Sequence, residues 1–329
     1  MSDSNLRILV LGGTSFIGRA IVEQATARNA AVTLFTRGKT GAELFPQAAR
    51  LTGDRDAGEY GALAGHSGDW DAVVDTTGYL PRHVGQAMDV LGDRVGRYLF
   101  LSSHAVYQVE GVGPGSTEDT PRRAPVRDVA ATEELTDATY GPSKVACEDD
   151  VAARYGDRAV IVRPGKVAGP HDNQRGLTYY VRRAARGGRL ALPGDPEQPV
   201  QLIDSRDLAA LAVRLIEDGR TGAFHAVGPE PPVTLGGLIQ ACARAAGTET
   251  EIVPVTADAA PGFFPLVRPA AQWAAQQRSP ARARAAGLPA TPLRVTVADV
   301  RAWDLARGEP PLAGGFTPEQ EAAVLASHA

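Results

Sequence analysis

Residues 6–18 read LRILVLGGTSFIG, and this stretch determines how the rest of the sequence is interpreted. The apolar run at 6–11 predicts a buried strand, and the pattern from Phe16 onward predicts a helix. Gly12 allows a tight turn and Gly18 allows close helix–strand packing, although Ser15 stands where a central glycine is common. Because a helix N-terminus attracts pyrophosphate, this turn predicts a dinucleotide site. Its predicted cofactor contacts are Gly12, Thr14, Ser15, Phe16, Ile17 and Gly18.

Short apolar runs alternate with helical patterns through the first 165 residues. Further strands are predicted at 31–35, 71–75, 97–101 and 159–162. Buried strands separated by helices indicate a parallel sheet that is covered on both faces. We therefore predict the α/β class, with a doubly wound (Rossmann) domain and a smaller C-terminal substrate domain. The first is expected to span 1–168, with 200–225 returning to it, and the second to comprise 169–199 and 226–329.

Composition excludes several classes of protein. The 329 residues carry 34 basic and 38 acidic side chains, a formal charge of -4, which gives no general attraction for nucleic acid. Cys147 and Cys242 allow one disulfide at most, a usage that suits a reducing compartment. The polar start of the chain shows no secretory signal, and no apolar stretch is long enough for a membrane span. We therefore expect a cytoplasmic protein that binds neither nucleic acid nor membrane.

The end of the second predicted strand bears on cofactor choice. It reads Thr36-Arg37-Gly38-Lys39, and no acidic residue occurs from 30 to 42. A carboxylate here would repel the 2′-phosphate of NADP, whereas a guanidinium can bind it in a bidentate way. NADP(H) is therefore favoured, with Arg37 as the main contact and Lys39 in support. NAD(H) stays open, because an arginine at a strand end is also an ordinary solvated residue.

Two further segments carry candidate chemistry. LSSHAVY occupies 101–107, and YGPSK occupies 140–144 at the start of a predicted helix. A spacing of four places Tyr140 and Lys144 on one helix face. Together with GGTSFIG at 12–18, these motifs resemble the extended, epimerase-like branch of the short-chain dehydrogenase/reductase superfamily. The pieces RPG at 163–165, VAGP at 167–170, QLID at 201–204 and GAFHAVG at 222–228 extend the resemblance over most of the chain.

The resemblance implies a catalytic set of Ser103, Tyr140 and Lys144. Tyr140 would be the general acid or base, and since free tyrosine has a pKa of about 10, the nearby ammonium is expected to favour its phenolate. Ser103 would bind the substrate oxygen, and Lys144 would also hold the nicotinamide ribose. Asp54 matches the position that meets adenine. The other implied cofactor contacts are Thr76, Thr77, Gly78, Ser102, Pro164, Gly165 and Val167.

The resemblance also narrows the reaction. Sugar-nucleotide dehydratases of this branch have an Asp-Glu pair where this chain has His104 and Ala105, so dehydration is excluded. Sugar-nucleotide enzymes of the branch bind the diphosphate with an arginine, but the corresponding stretch of this chain, residues 199–204, has Val200 and Gln201 instead. This argues against sugar-nucleotide substrates unless another arginine compensates. The candidates for that compensation are Arg175, Arg182 and Arg268.

The roles of several other residues can be interpreted in two ways. His104 is either a second acid/base tuned near neutrality or a hydrogen-bonded wall of the substrate pocket, and Tyr79 is expected to line that pocket. Tyr107 is expected to pack or line it, and the acidic runs at 118–119 and 148–150 to be solvated. No metal site is predicted, because metal-ligand spacing is absent from the remaining histidines, His66, His83, His171, His225 and His328.

These observations predict an NADP(H)-dependent oxidoreductase that interconverts a ketone and a secondary alcohol on a small molecule. One alternative is an NAD-dependent epimerase that transiently oxidises a sugar-like substrate. A second is a non-catalytic dinucleotide- or RNA-binding protein, because the turn at 12–18 and QLID also resemble the isoflavone-reductase-like subgroup and the chloroplast stem-loop-binding proteins. The family resemblance further implies a homodimer.

Overall fold

The structure, a computed structural model, describes residues 5–109, 112–129, 135–173, 176–260 and 262–327. Its main feature is a seven-stranded parallel sheet in the order β3–β2–β1–β4–β5–β6–β11. These strands are β1 (Arg7–Leu11), β2 (Ala31–Thr36), β3 (Ala49–Thr52), β4 (Trp70–Asp75), β5 (Val95–Leu101), β6 (Ala159–Pro164) and β11 (Gly222–Ala226). The reversal of order at β1 creates a crevice at the carboxyl ends of the strands, as in a Rossmann fold. The predicted fold class is confirmed.

Helices cover both faces of this sheet because its strands are apolar on both sides. Ile8 and Val10 of β1 face one core, while Leu9 and Leu11 face the other. Helices α1 (Phe16–Ala27) and α6 (Ser205–Glu217) pack over the first face. The second face is covered by α3 (Pro81–Leu91) and α4 (Tyr140–Tyr155), with the short α2 (Gly61–Ala64) beside α3.

A separate apolar core lies in the C-terminal part of the chain. Its helices are α5 (Gly176–Ala185), α7 (Leu235–Ala246), α9 (Leu293–Ala306) and α10 (Pro318–Ala326). Its strands form two-stranded ladders: β7 (Lys166–Ala168) with β10 (Leu202–Asp204), β9 (Pro199–Val200) with β12 (Val233–Thr234), and β8 (Gly188–Leu192) with β13 (Thr250–Pro254). Short 3₁₀ helices occur at His104–Val106, Gly156–Arg158, Ala257–Ala259 and Ala270–Gln276.

Of the stretch 200–225 that was expected to return to the main sheet, α6 packs over the sheet and most of β11 forms its edge, but the strand predicted around 200–203 does not join it. The sheet position beside β6 is occupied by β11, with Ala223 opposite Ile161, so β10 pairs with β7 instead. Conversely, α8 (Ala281–Ala285) contributes Ala283 to the core of the main sheet, although it lies in the stretch assigned to the substrate domain. The division at 168 stays a prediction.

Within the described ranges, no helix is long and apolar enough to cross a membrane. Both cysteines are buried and unbridged, so the single disulfide that their number allows is not formed.

Candidate active site

A cleft of about 600 Å³ opens at the carboxyl ends of the main-sheet strands. Parallel strands all end at this edge, so residues far apart in the sequence meet there. The structure brings to it every sequence-predicted site residue except Gly78, whose carbonyl instead accepts a hydrogen bond from Lys144. Those lining it are Gly12, Thr14, Ser15, Phe16, Ile17, Gly18, Arg37, Lys39, Asp54, Thr76, Thr77, Tyr79, Ser102, Ser103, His104, Tyr140, Lys144, Pro164, Gly165 and Val167.

The turn between β1 and α1 has the geometry of a phosphate cradle. Gly12 has φ +108°, and a Cβ built there would lie 2.4 Å from Thr76 Oγ1, so only glycine fits. A Cβ on Gly18 would lie 2.9 Å from Gly13 N, so glycine also keeps α1 against the turn. The side chain of Ser15 makes no capping hydrogen bond. The N–H groups of the first turn of α1 are therefore left for an anionic ligand such as a pyrophosphate.

Lys144 is buried beneath the cleft. It is 2% exposed, and its Nζ donates to Gly78 O at 2.9 Å and to Leu101 O at 2.8 Å. The ammonium also lies 4.6 Å from the centre of the Phe100 ring. Burial lowers the pKa of Lys144. An ammonium has three N–H donors, so one is left after these two carbonyls are satisfied.

Tyr140 and Ser103 line the cleft together and are hydrogen-bonded to each other. Burial raises the pKa of Tyr140, and a hydrogen bond with the Ser103 side chain lowers it only in part. Ser103 Oγ also accepts the N–H of Ala105 at 3.1 Å. The sequence suggested that Lys144 would favour the phenolate, but here its ammonium is engaged by backbone carbonyls. Because its pKa is raised, the phenol of Tyr140 is protonated at neutral pH.

The end of the cleft expected to hold the adenosine contains two acids, Asp54, which was predicted from the sequence, and Asp56, which was not. Lys39 Nζ lies 3.6 Å from Asp54 Oδ2, and Arg37 Nη1 lies 3.9 Å from Asp56 Oδ2. The stretch 30–42 is free of acids, but the loop after β3 brings these two carboxylates beside it. The basic pair is therefore partly neutralised, which the local sequence could not reveal.

A buried ion pair supports the middle of the cleft. Arg55 Nη1 donates to Asp75 Oδ1 at 2.6 Å and to Thr77 Oγ1 at 2.9 Å. Asp75 also accepts from Tyr98 OH at 2.7 Å. Burial alone would raise the pKa of Asp75, but the Arg55 guanidinium outweighs it and the pKa is lowered. The pair holds Thr77 in place, and the sequence analysis missed both of its members.

A second buried network lies behind Ser102. Ser102 Oγ donates to Glu148 Oε1 at 2.5 Å, and Arg163 binds the same carboxylate with Nε at 2.9 Å and Nη2 at 2.7 Å. Tyr107 is 1% exposed and contacts His225 Nε2 at 2.7 Å, so it packs rather than lining the cleft. Glu148 and Glu118 are buried because guanidinium and N–H donors satisfy them, which contradicts the expectation that they are solvated, whereas Asp119 is exposed as expected.

The segment between β5 and α4 packs along α4. Arg122 contacts Glu148 and Asp149, and Arg127 contacts Asp150. Asp137, close to Tyr140 in the chain, lines the cleft. Residues 110–111 and 130–134 of the segment lie outside the described residues.

His104 forms the wall of the cleft beyond Ser103. Burial, together with Arg278, Lys166 and Arg268, lowers its pKa to about 3. The imidazole is therefore neutral at ordinary pH, which argues against an acid/base tuned near neutrality. Lys166, one of the three lysines in the chain, also lines the cleft and was given no role from the sequence.

The three arginines that could bind a diphosphate in place of the missing one have different surroundings. Arg182 is engaged by Asp304, and Arg175 lies outside the described residues. Arg268 lies near His104 and Lys166. In the described part of the chain, no group of three His, Cys, Asp or Glu side chains is arranged to hold a metal ion. His328 lies outside the described residues.

Comparison with curated proteins gives two informative relatives. The chloroplast stem-loop binding protein of 41 kDa b from Arabidopsis thaliana is 26% identical over 268 residues, which is 77% of this chain and 66% of that protein. The 2′-dehydrokanamycin reductase of Streptomyces kanamyceticus is 27% identical over 287 residues, 84% of this chain and 72% of that enzyme. The first relative agrees with the stem-loop-binding resemblance of the motifs.

Solved structures show the same architecture. The UDP-glucose 4-epimerase of Thermotoga maritima superposes with a TM-score of 0.67 at 16% identity, covering 92% of this chain and 99% of that structure. This likeness concerns the fold. The model of the NAD dependent epimerase/dehydratase family matches residues 8–228, from β1 through the end of the main sheet. The resemblance inferred from the motifs is confirmed, and the chain belongs to the NAD-dependent epimerase/dehydratase family.

Proposed function

We propose that the protein is an NADP(H)-dependent oxidoreductase that interconverts a ketone and a secondary alcohol on a small molecule. One observation carries this proposal: Tyr140, Ser103 and Lys144 line the same cleft as the phosphate-binding turn. A bound nicotinamide cofactor would supply or accept the hydride. The reductase among the relatives of the chain is consistent with this reaction type.

Each residue of the set has a distinct role in this proposal. Tyr140, protonated because burial raises its pKa, donates a proton to the ketone oxygen in the reducing direction. Ser103, whose Oγ accepts from Ala105 N and is hydrogen-bonded with Tyr140, would donate its O–H to the substrate oxygen once a substrate is bound. Lys144, with one N–H donor left, would hold a ribose hydroxyl of the cofactor. Arg37 would bind the 2′-phosphate, supported by Lys39.

An NAD-dependent epimerase is the second candidate, and a specific observation favours it. Asp54 and Asp56 lie beside Lys39 and Arg37, so the adenosine end is less positive than the sequence alone indicates. Carboxylates at this end suit the free ribose hydroxyls of NAD better than a 2′-phosphate.

The RNA-binding alternative has weaker support. The Arabidopsis relative carries the name of a stem-loop-binding protein, but this chain has a formal charge of -4, whereas RNA contact needs clustered basic charge. We therefore propose a small-molecule partner rather than nucleic acid.

Cofactor analysis separates these candidates without a known substrate. Freshly purified protein is denatured and any released nucleotide is identified, and nucleotide-free protein is then titrated with NADPH and NADH. Exchangeable binding with preference for NADPH supports the reductase and leads to a screen of ketones. Near-stoichiometric NAD retained through purification supports the epimerase, and failure to bind either nucleotide contradicts both.

A further inference from the structure

A buried ion pair lies where three segments of the cofactor part of the cleft come together. The segments are residues 53–56 after β3, residues 76–77 after β4, and the turn 12–18 between β1 and α1. Arg55 belongs to the first segment and is 8% exposed, and the fully buried Asp75 ends β4 directly before the second. The pair therefore connects the end of the cleft expected to hold the adenosine with the middle of the sheet.

The carboxylate of Asp75 is saturated with hydrogen-bond donors. Its Oδ1 accepts from Arg55 Nη1 at 2.6 Å and from Thr77 N at 3.1 Å. Its Oδ2 accepts from Arg55 Nη2 at 2.9 Å and from Tyr98 OH at 2.7 Å. The guanidinium also donates to Thr77 Oγ1 at 2.9 Å and to His83 O at 2.7 Å. Because a bidentate pair has a fixed geometry, it determines how the two segments lie relative to each other.

The segment after Asp75 contacts the turn expected to bind the pyrophosphate. Thr76 Oγ1 donates to Leu11 O at 2.9 Å, and Thr77 Oγ1 donates to the same carbonyl at 3.2 Å. A Cβ built on Gly12 would lie 2.4 Å from Thr76 Oγ1 and 2.9 Å from Thr77 Cγ2. The position of these two threonines therefore limits the position of the turn.

The same segment also holds Lys144. A Cβ built on Gly78 would lie 2.9 Å from Asp75 Oδ2, so Gly78 packs directly against the carboxylate. The carbonyl of Gly78 accepts from Lys144 Nζ at 2.9 Å. Asp75 thus contacts the residue that binds the ammonium proposed to hold a ribose hydroxyl of the cofactor. A change in the ion pair is expected to move this carbonyl and the ammonium with it.

The loop that carries Arg55 has hydrogen bonds of its own. Glu59 N donates to Asp54 O at 2.8 Å, and Asp56 N donates to Asp54 Oδ1 at 3.1 Å. Neither hydrogen bond involves the Arg55 side chain, so the loop should keep its shape when that side chain is replaced. The ion pair therefore sets where the loop lies more than how it is folded.

Building on the proposed function, we propose that Arg55 and Asp75 are positioning residues that hold the adenosine site of the cofactor at a fixed separation from Lys144. They act through Thr77 and Gly78 rather than on the reacting atoms. A whole dinucleotide must meet both sites at once, whereas its adenosine half meets only one. The whole cofactor should therefore depend on the pair more strongly than its adenosine half does.

Nucleotide titration tests this role without a substrate. Nucleotide-free protein is titrated with NADPH and NADH, and with their adenosine halves, 2′,5′-ADP and ADP. Arg55→Lys retains the charge but cannot form the bidentate contact. We expect this variant to weaken NADPH and NADH by the same factor of about tenfold or more, the value of one hydrogen bond from the charged donor of Lys144. The adenosine halves should stay within about threefold of their wild-type affinity, because the loop keeps its shape.

Arg183→Lys is the matched control for loss of a buried ion pair. Arg183 is 5% exposed and binds the equally buried Glu321, which belongs to α10 in the C-terminal part of the chain. Both lysine variants should unfold at lower urea concentration than the wild type does. Only Arg55→Lys should change nucleotide affinity, whereas a merely structural role for its pair would leave nucleotide affinity at the wild-type value in both variants.

Two further variants make the test independent of how well Arg55→Lys folds. Tyr98→Phe removes one donor from Asp75 Oδ2 and retains the ion pair, so it should weaken NADPH in the same direction by about twofold to fivefold. In a Lys144→Met background, which lacks the ribose contact, Arg55→Lys should weaken NADPH by at most about twofold more, because its effect passes through Lys144.

Unchanged affinity for both whole cofactors in Arg55→Lys overturns the positioning role. Equal weakening of a whole cofactor and its adenosine half overturns it as well, because the pair would then support the adenosine loop alone. The oxidoreductase can fail separately: turnover that survives Tyr140→Phe would remove the proposed chemistry and leave the positioning pair. Turnover that requires Tyr140, with unchanged nucleotide affinity in Arg55→Lys, would do the reverse.

Discussion

The phenol of Tyr140 lies at the centre of the proposed chemistry because it is buried, protonated and hydrogen-bonded to Ser103. Replacing Tyr140 with phenylalanine removes the proton donor and little volume. We expect turnover of a ketone substrate to fall by about 10²- to 10⁴-fold. The affinity for NADPH should stay within about twofold, because the phenol oxygen contributes no charge to cofactor binding. Steady-state kinetics and a fluorescence titration measure the two quantities.

Tyr155→Phe is a matched control for this variant. Tyr155 ends the same helix, is 3% exposed and stacks on Tyr98, away from the cleft. It should retain wild-type turnover. Undiminished turnover in Tyr140→Phe would remove this tyrosine from the mechanism.

A variant that lacks the charge of Arg37 tests whether this residue makes the protein prefer NADPH to NADH. Replacing Arg37 with alanine should weaken NADPH binding by about 10- to 100-fold, the value of one charge-assisted phosphate contact, and leave NADH binding within about twofold. Titration of the variant with both nucleotides gives the ratio. Arg28→Ala is the control, because Arg28 pairs with Glu217 on another surface. Equal weakening of both nucleotides would contradict the assignment of Arg37 to the 2′-phosphate.

Asp56→Asn tests the opposing charge at the same site. Asp56 Oδ2 lies 3.9 Å from Arg37 Nη1, and both side chains are more than half exposed, so solvent screens the pair. NADPH should therefore bind only about twofold to fivefold more tightly in the variant, with NADH unchanged. Weaker NADPH binding would show that Asp56 orients Arg37 rather than opposing the phosphate.

Helix α4 connects the catalytic set to the core at the scale of an element. Tyr140, Lys144 and Glu148 are spaced by four residues, so one face of the helix carries all three. Lys144 binds the ends of β4 and β5 through Gly78 O and Leu101 O, while Glu148 binds Ser102 and Arg163. The helix is therefore fixed to the strand ends by buried polar contacts. Tyr140 is the first residue of the helix and lines the cleft.

Glu148→Gln should reveal how much this buried contact stabilises the fold. The variant leaves the Arg163 guanidinium buried without its carboxylate, which is expected to cost about 3–5 kcal/mol of unfolding free energy. Urea unfolding measures this loss of unfolding free energy. Asp150→Asn, on the same helix, breaks the more exposed pair with Arg127 and should cost at most about 1 kcal/mol. Similar losses in the two variants would show that the buried position of Glu148 confers no special stability.

The elements also show what the sequence can and cannot predict. Apolar runs were sufficient to find β1, β2, β4, β5 and β6, and the motifs placed the cofactor turn and Tyr140, because these signals are local. Asp56 beside Arg37, Arg55 with Asp75, and Glu148 with Arg163 depend on contacts between separate strands and helices. Local sequence cannot distinguish a solvated acid from one that a distant arginine neutralises, so Glu148 was misjudged.

At the scale of the whole molecule, the two ends of the cleft have different arrangements of charged residues. The chain is acidic overall, with a formal charge of -4, yet Lys166, Arg268 and Arg278 all act on His104 at one end of the cleft, where the carboxylate of Asp172 acts on Lys166. Acids and bases are paired at the other end, beside the adenosine position. The acidic net charge is consistent with the proposed small-molecule partner rather than with a polyanion such as RNA, because a polyanion must also approach the surrounding surface.

Three buried histidines should make the whole fold sensitive to mild acid. Burial and neighbouring guanidinium groups lower the pKa of His83 to about 4, and the pKa values of His104 and His225 to about 3. Unfolded histidine has a pKa of about 6.5, so below that pH the unfolded chain binds more protons than the folded one. Stability is therefore complete above about pH 6.5 and falls by up to about 1.4 kcal/mol per histidine for each pH unit below it.

Asp75 acts in the same direction as the histidines but in a lower pH range. Its pKa is lowered in the folded state, so its contribution is lost only as the pH falls below the ordinary aspartate value of about 3.9. Urea unfolding between about pH 7 and pH 5 thus isolates the histidines. His225→Gln should reduce the slope of unfolding free energy against pH by about a quarter, since it removes one of four histidines with a lowered pKa, the fourth being the partly buried His171. A flat profile in the wild-type protein, or an unchanged slope in the variant, would show that these imidazoles accept protons without unfolding the core.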